Sequence, residues 1–217
     1  MDEAITSVYL VRHGETEWNV TLRCQGTADI PMNPTGHAQV ASLGTALRSV
    51  AFAAAYTSPL SRARLTAGAV LASRALDAVV EPDLRELSYG DWQGLTPQEW
   101  PGDVAERWAA DPWTVAFPNG ESLAAVQARA VAAIGRIVAA HPGQCVLVAA
   151  HGHLNRLLLL HAHGADPGTF WDVAQPNGWA CRIDYRAHDA NAIATSITPI
   201  TVGHTGTDES HTIQKAD

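Results

Sequence analysis

Lysine is all but missing from this chain. Among 217 residues the one lysine is Lys215, and the other thirteen of its fourteen Lys and Arg residues are arginines. Composition alone supplies no physical account of that bias. Basic side chains are also outnumbered, 14 against 22 acidic ones, for a formal net charge of −8. A nucleic-acid partner needs a basic face that neutralises phosphates, so this balance argues against one. It does not exclude a small anion, because screening confines bulk charge to about 8 Å at physiological salt and local arginines decide. Cysteine is scarce too. Cys24, Cys145 and Cys181 form an odd set without C-x-x-C spacing, which argues against a disulfide framework and against a thiolate zinc site. No segment offers the roughly 20 apolar residues of a membrane span. The first residues lack the basic start and apolar run of a signal peptide. The expectation is a cytoplasmic protein with neither membrane nor nucleic acid as partner, and a homodimer stays open as its assembly.

The length suits one well-covered α/β domain and is small for two. The expected domain spans residues 1–200 and includes a cap-like insert at about 88–120. Residues 201–217 read as a polar, disordered tail.

Hydrophobic patterning supplies the elements. Ser7 to Val11 reads as a buried strand, and Asn33-Pro34 as a helix start with Val40, Leu43 and Leu47 at helical spacing. Ala51 to Thr57 is a second strand, and Ser58-Pro59 repeats the cap-plus-proline signal ahead of Leu60, Ala63, Ala67 and Val70. Asp77 to Val80 suggests a short third strand. Between Leu84 and Gly120 the pattern loosens into Gly, Pro and four tryptophans, with one helix expected from Pro97 to Ala110. A long helix follows from about Glu121 to Ala140. Cys145 to Ala150 is continuously apolar, as in a strand buried on both faces. A helix over Leu154 to His161 and strands over Ala180 to Tyr185 and Ala192 to Ile197 complete the pattern. Strands alternating with helices imply a three-layer α/β/α sandwich with a mostly parallel central sheet. Ligands in such sheets bind beyond the carboxyl ends of the strands.

Three strand ends carry the ionic residues. The first runs into Arg12-His13-Gly14, the second leads to Arg62, and Cys145 to Ala150 ends at His151-Gly152-His153. Singly, each is ordinary: a surface histidine, or a solvated helix face for Arg62 and Arg64. Together, on one edge of a parallel sheet, two histidines and two arginines would surround a tetrahedral dianion, with guanidinium forks matching its oxygens. The histidines at 151, 153, 161 and 163 raise a metal reading. No H-E-x-x-H occurs, however, and no acidic residue in that segment completes a hydrolytic zinc site.

Six stretches in order resemble the histidine phosphatase superfamily, the phosphoglycerate mutase-like fold. They are "VRHGETEWN", "QGTADIPMNPTG", "TSPLSRARLTA", "LRELSYGDWQG", "PNGES" and "AHGH", spread over residues 8 to about 185. The resemblance implies His13 as the nucleophile that accepts a phosphoryl group. Arg12, Arg62 and His151 would hold the phosphate oxygens, and Glu86 would protonate the leaving alcohol. Asn19, Gln25, Gly26, Gly152 and His153 fall among substrate-binding positions. Taken alone, Glu86 reads as an exposed carboxylate paired with Arg85. His153 and Asn155 stand where many members carry small or apolar residues, and Trp179 where a small one is usual.

The resemblance implies a phosphoric monoester hydrolase of the histidine acid phosphatase type. It would cleave a small phosphorylated metabolite through phosphohistidine and require no metal or other cofactor. A carboxyl beside a phosphate dianion has its pKa raised by like charge, which suits a proton donor. The modest insert favours phosphatase over a mutase, which must keep water from the phosphohistidine. A non-catalytic phospho-ligand-binding module is the third reading, and it predicts loss of residues that are all present. Tyr89, Trp92, Trp100, Trp108, Trp113 and Phe117 make the insert the most aromatic region. Such rings most often pack a cap; facing the pocket, they would favour a substrate with a flat or apolar part.

Overall fold

The computed structural model describes residues 4–186 and 193–203. Six strands form one sheet: β1 (Ile5–Arg12), β2 (Ala54–Thr57), β3 (Val79–Val80), β4 (Cys145–Ala150), β5 (Ala180–Arg186) and β6 (Ala194–Ile200). Their order is β3-β2-β4-β1-β5-β6, with β1 to β4 mutually parallel and β5 antiparallel to both β1 and β6. The helices are α1 (Glu17–Val20), α2 (Pro34–Ala46), α3 (Ser61–Leu71), α4 (Val104–Ala110), α5 (Leu123–Ala140) and α6 (Gly152–His163). The expected tail falls mainly outside the described residues; 201–203 form neither helix nor strand.

Both faces of the sheet are covered, which explains why residues 8–11 of β1 and all of β4 are apolar. Leu43, Leu47, Ala67 and Val70 of α2 and α3 pack with Val11, Leu147 and Ala149. The alternate residues Val8, Leu10, Val146 and Val148 face the other way, into a core shared with Val126, Ile134 and Leu157 of α5 and α6. This is the expected three-layer α/β/α sandwich with a mostly parallel sheet. At 18 residues α5 is long and apolar enough to cross a membrane. Its Leu123, Val126, Ala130, Ile134 and Ile137 stripe is instead buried in this core.

Local chemistry sets the helix ends. Asn33 Oδ1 accepts from Gly36 N at 2.8 Å, and Ser122 caps α5 through Ala125 N. Two expectations fail. Ser58 is not the cap of α3, which begins at Ser61; the Asp29 carboxylate accepts from Ser61 N and Oγ, both at 2.7 Å. The helix expected over 97–110 is broken. Pro97–Glu99 is a single 3-10 turn, Trp100 is extended ahead of Pro101, Gly102 takes φ +63°, and α4 starts at Val104. A proline disfavours helical geometry in the residue before it, and that preference wins here.

Register places the site. Arg12 pairs with Ala150 and Thr57 with Ala149, so the chain leaves β1, β2 and β4 at one edge. The antiparallel β5 starts at the same edge, where Ala180 pairs with Val11.

Candidate active site

His13 leaves β1 buried, its N–H bonded to Ala150 O at 3.2 Å. Its Nδ1 lies 2.7 Å from Gly14 O. A carbonyl only accepts, so Nδ1 carries the proton and Nε2 keeps the lone pair. Burial first, then the charges of Arg62, His151 and Arg12, hold the His13 pKa well below the histidine range. The ring is therefore a neutral base at pH 7. Gly14 is needed for closeness rather than for a left-handed turn: a Cβ there would meet Gly36 O at 2.3 Å.

His151 closes the other side, its ring 5.2 Å from that of His13. Its Nε2 is 2.7 Å from Ser58 Oγ, while Nδ1 is buried without a partner. Ser58 thus positions the second histidine, a role hidden in the sequence because S-P reads as a helix cap. Burial and Arg62 keep His151 neutral as well.

The arginines are fastened by backbone carbonyls. Arg12 donates to Gln175 O, and Arg62 donates to Ala28 O at 2.7 Å and Gly26 O at 2.9 Å. Arg62 is 1% exposed, so it is not a solvated helix face. Burial lowers both guanidinium pKa values to about 10, which leaves them charged at neutral pH. A third arginine, Arg156, is held through Nε by Val173 O at 2.8 Å and lies over the rings of Phe170 and Trp171. It repels Arg12 and attracts Glu86. Among the described residues none of the three forms an ion pair. The buried Nε atoms of Arg12 and Arg62, like Nδ1 of His151, have no partner.

Glu86 supplies the countercharge. Its Oε1 accepts from Leu87 N and Leu154 N, and its Oε2 from His153 N, at 2.9–3.1 Å. It therefore sits on the first amides of α6, where a helix end favours an anion. Burial pushes its pKa up, but the approach of the His153 ring, nearby His151 and the Leu87 amide outweigh it, and the net direction is well below the usual carboxylate range. The free site thus holds Glu86 ionised; a proton is favoured there only beside a bound dianion. The alternative reading of Glu86 alone, an exposed partner of Arg85, does not hold: Glu86 is buried and Arg85 pairs with Glu121 at 2.8 Å.

The remaining positions fall into place around this centre. Gly152 lets the Arg12 guanidinium approach, since a Cβ there would lie 3.3 Å from it. Gly26 takes φ +51° and presents its carbonyl to Arg62. Gln25 is buried, with Oε1 unpartnered. The Oδ1 of Asn19 accepts from Thr16 and from Asn177 Nδ2, leaving its own Nδ2 as the free donor. Asn177 also donates to His13 O at 3.2 Å. Sequence reasoning passed over Ser58, Asn177 and Arg156, although Arg156 lies in the run "HGHLNR". The four histidines of the metal reading do not converge: α6 separates His151 and His153 from His161 and His163 by most of its length.

The insert's rings pack on one another. Phe117 meets Tyr89, Trp92, Trp100 and Trp108 with centroids 4.8–5.6 Å apart, and Tyr89, Trp100, Trp108 and Phe117 are all buried. They form the cap's own core rather than a platform for a flat ligand. A surface groove of about 670 Å³ beside α3 is lined by Arg64, Leu65, Gly68 and Asp77 and includes none of the residues above.

This is a three-layer α/β/α sandwich whose strand ends gather neutral histidines and guanidiniums without direct ion pairs, an arrangement whose chemistry suits an anion. Residues 8–197 match the histidine phosphatase superfamily (branch 1), and the chain belongs to that family. It is 37% identical over 163 residues to the uncharacterized phosphatase PhoE of Bacillus subtilis, covering 75% of this chain and 80% of that one. A 2,3-bisphosphoglycerate-dependent phosphoglycerate mutase of Bartonella tribocorum is 34% identical over 73% of this chain and 82% of its own. The solved structure of Bacillus stearothermophilus YhfR superposes with a TM-score of 0.78 at 34% identity, covering 82% of this chain and 90% of that one.

Proposed function

We propose that this protein is a metal-independent phosphatase that hydrolyses a small-molecule phosphate monoester through phospho-His13. The observation that carries the reading is a neutral, oriented His13 beside guanidiniums that form no direct ion pair among the described residues. Arg12, Arg62 and Arg156 contribute three positive charges and Glu86 one negative, a balance suited to a dianion. The His13 Nε2 lone pair attacks phosphorus as the P–O ester bond breaks. Glu86, protonated beside the dianion, gives its proton to the departing alkoxide, which is too basic to leave unaided. Guanidinium donors stabilise the transferring oxygens. Water then attacks the phosphohistidine, Glu86 takes its proton, and phosphate leaves with His13 restored.

The partner in this reading is a phosphorylated metabolite and the compartment is the cytoplasm. His13→Ala should abolish phosphate release from p-nitrophenyl phosphate with circular dichroism unchanged; retained turnover would falsify the nucleophile assignment. EDTA should leave the rate alone, and chelator sensitivity would restore the metal reading.

The mutase relative supports a second reading, phosphotransfer with 2,3-bisphosphoglycerate. A screen of phosphorylated metabolites with and without that compound separates the two: net phosphate release supports the hydrolase, and isomerised product supports the mutase.

A further inference from the structure

His153 occupies the second position of α6, and its main-chain N–H already holds Glu86. Its ring makes a second approach, with Nδ1 3.7 Å from Glu86 Oε2. That is longer than a hydrogen bond and short enough for a strong charge–dipole interaction. The ring is fixed in place. It stacks on Phe170 at 5.8 Å and 19°, with Trp108, Tyr89 and Trp171 at 5.7–6.1 Å around it. These walls are apolar, and Glu86 is the ring's one ionic contact among the described residues. The aromatic cap core thus ends on a polar ring aimed at the carboxylate.

In the reaction proposed above, the Glu86 O–H bond breaks as its proton passes to the alkoxide oxygen. The step leaves a carboxylate beside a transferring phosphoryl group, the most repulsive moment for that charge. We propose that His153 is a positioning residue for this step, its ring stabilising the carboxylate that Glu86 becomes as the proton departs. The inference rests on Glu86 being the proton donor. Other groups face the same carboxyl: Arg12 from β1, Arg62 from α3, His151 between β4 and α6, Arg156 from α6, and Tyr89 from the adjoining loop. Arg129 of α5 meets Glu86 at its main-chain carbonyl and not at its carboxylate. His153 differs from these in touching the carboxylate through a side chain that the aromatic cap holds.

The test compares His153→Phe, which keeps the stacking, with His153→Asn, which keeps a donor. Each is assayed on β-glycerophosphate and p-nitrophenyl phosphate from pH 5 to 9. A lost polar contact to a charged group corresponds to about a tenfold effect. His153→Phe should lose about that much kcat on β-glycerophosphate and far less on p-nitrophenyl phosphate, whose leaving group needs little protonation. The alkaline limb of the β-glycerophosphate profile should move to higher pH, because the carboxyl then holds its proton more tightly. His153→Asn should recover part of both effects. Equal losses on the two esters, or an unmoved limb, would overturn the proposal and leave His153 as packing. Glu86→Gln run alongside separates the two failures. If it shows no leaving-group dependence, the proton-donor reading itself fails; if it shows one and His153→Phe does not, only the role of His153 falls.

Discussion

Two groups of arginines surround the Glu86 segment and are held in different ways. Arg12, Arg62 and Arg156 are fastened by carbonyl oxygens, which orient a guanidinium without neutralising it. Arg85, Arg129 and Arg136 are fastened by carboxylates. Arg129 forks onto both oxygens of Glu121 at 2.9 and 3.0 Å and donates to the carbonyls of Asp83, Arg85 and Glu86. The same side-chain chemistry serves two ends. A neutralised arginine ties down a loop, here the one that carries Glu86. An unneutralised one is costly to bury and keeps its charge for an anion that arrives.

The sharpest way to break this comparison is to remove one member of the first group. Arg62→Met should cut kcat/KM by about 10² to 10³, the range for losing one donor to a developing oxyanion. Its stability should stay within about 2 kcal/mol of the parent, because lost carbonyl bonds and a relieved buried charge oppose each other. Inorganic phosphate should raise the Tm of the parent, by up to about 2.7 kcal/mol of stabilisation at a hundredfold excess over Kd. It should do far less for the variant. Equal phosphate stabilisation of both would show that Arg62 is not part of the anion site.

Arg129→Met makes the opposite trade. Breaking a mostly buried carboxylate pair leaves Glu121 only Arg85 and the Ser88 amide, strips the donor from three loop carbonyls, and should cost about 3 kcal/mol in urea unfolding. Activity should fall only as far as Glu86 loses its position. If Arg129→Met were as stable as the parent and Arg62→Met unfolded, the division between the groups would be wrong.

The neutral histidines give the carbonyl-held region a pH signature. His13, His151 and His153 all have folded pKa values below the ordinary 6.5, chiefly through burial. Below about 6.5 the unfolded chain binds protons that the folded chain refuses, so stability falls as pH drops. It is fully present above that point. The slope reaches about 1.4 kcal/mol per pH unit for each histidine. Glu86, whose pKa is also depressed, adds loss further down, from the unfolded carboxylate value near 4.3 through its own lower one. Urea midpoints at pH 7.5 and 5.5 should differ clearly, and a His13→Asn, His151→Asn, His153→Asn triple variant should flatten the difference. A slope that survives the triple variant would place the titration elsewhere.

The proposed anion site was the more legible in sequence. Strand ends are fixed by continuous apolar runs, and Arg12, His13 and His151 follow such runs directly, so parallel register brings them together. The second strand leads on to Arg62, and six ordered motifs then added Glu86. The supporting residues were harder to see because their partners are distant in the chain. Ser58 meets His151 across 93 residues, and Asn177 meets His13 across 164. No local pattern encodes such pairs. Asp29 took over the helix start that Ser58-Pro59 advertised, again from a separate loop. The cap was the least legible, since aromatic residues in an aperiodic stretch suit self-packing and ligand stacking equally well. Arg156 was overlooked because a helical arginine among leucines reads as a solvated face until Phe170 and Trp171 are placed over it.

The smallest effect sharpens the comparison from the surface. Arg136 also pairs with carboxylates, Glu81 at 3.1 Å and Asp83 at 2.9 Å, but its side chain is 53% exposed. Water already solvates that guanidinium, and holding a long side chain in one geometry offsets most of the Coulomb gain. Arg136→Ala should therefore change stability by no more than about 0.5 kcal/mol and leave activity untouched. Added salt should erase even that difference. A loss approaching that of Arg129→Met would mean that carboxylate pairing alone ties down the Glu86 loop. With the expected result, desolvation is the deciding variable: pairing matters where Arg129 is shielded from water, and its absence matters where Arg62 is.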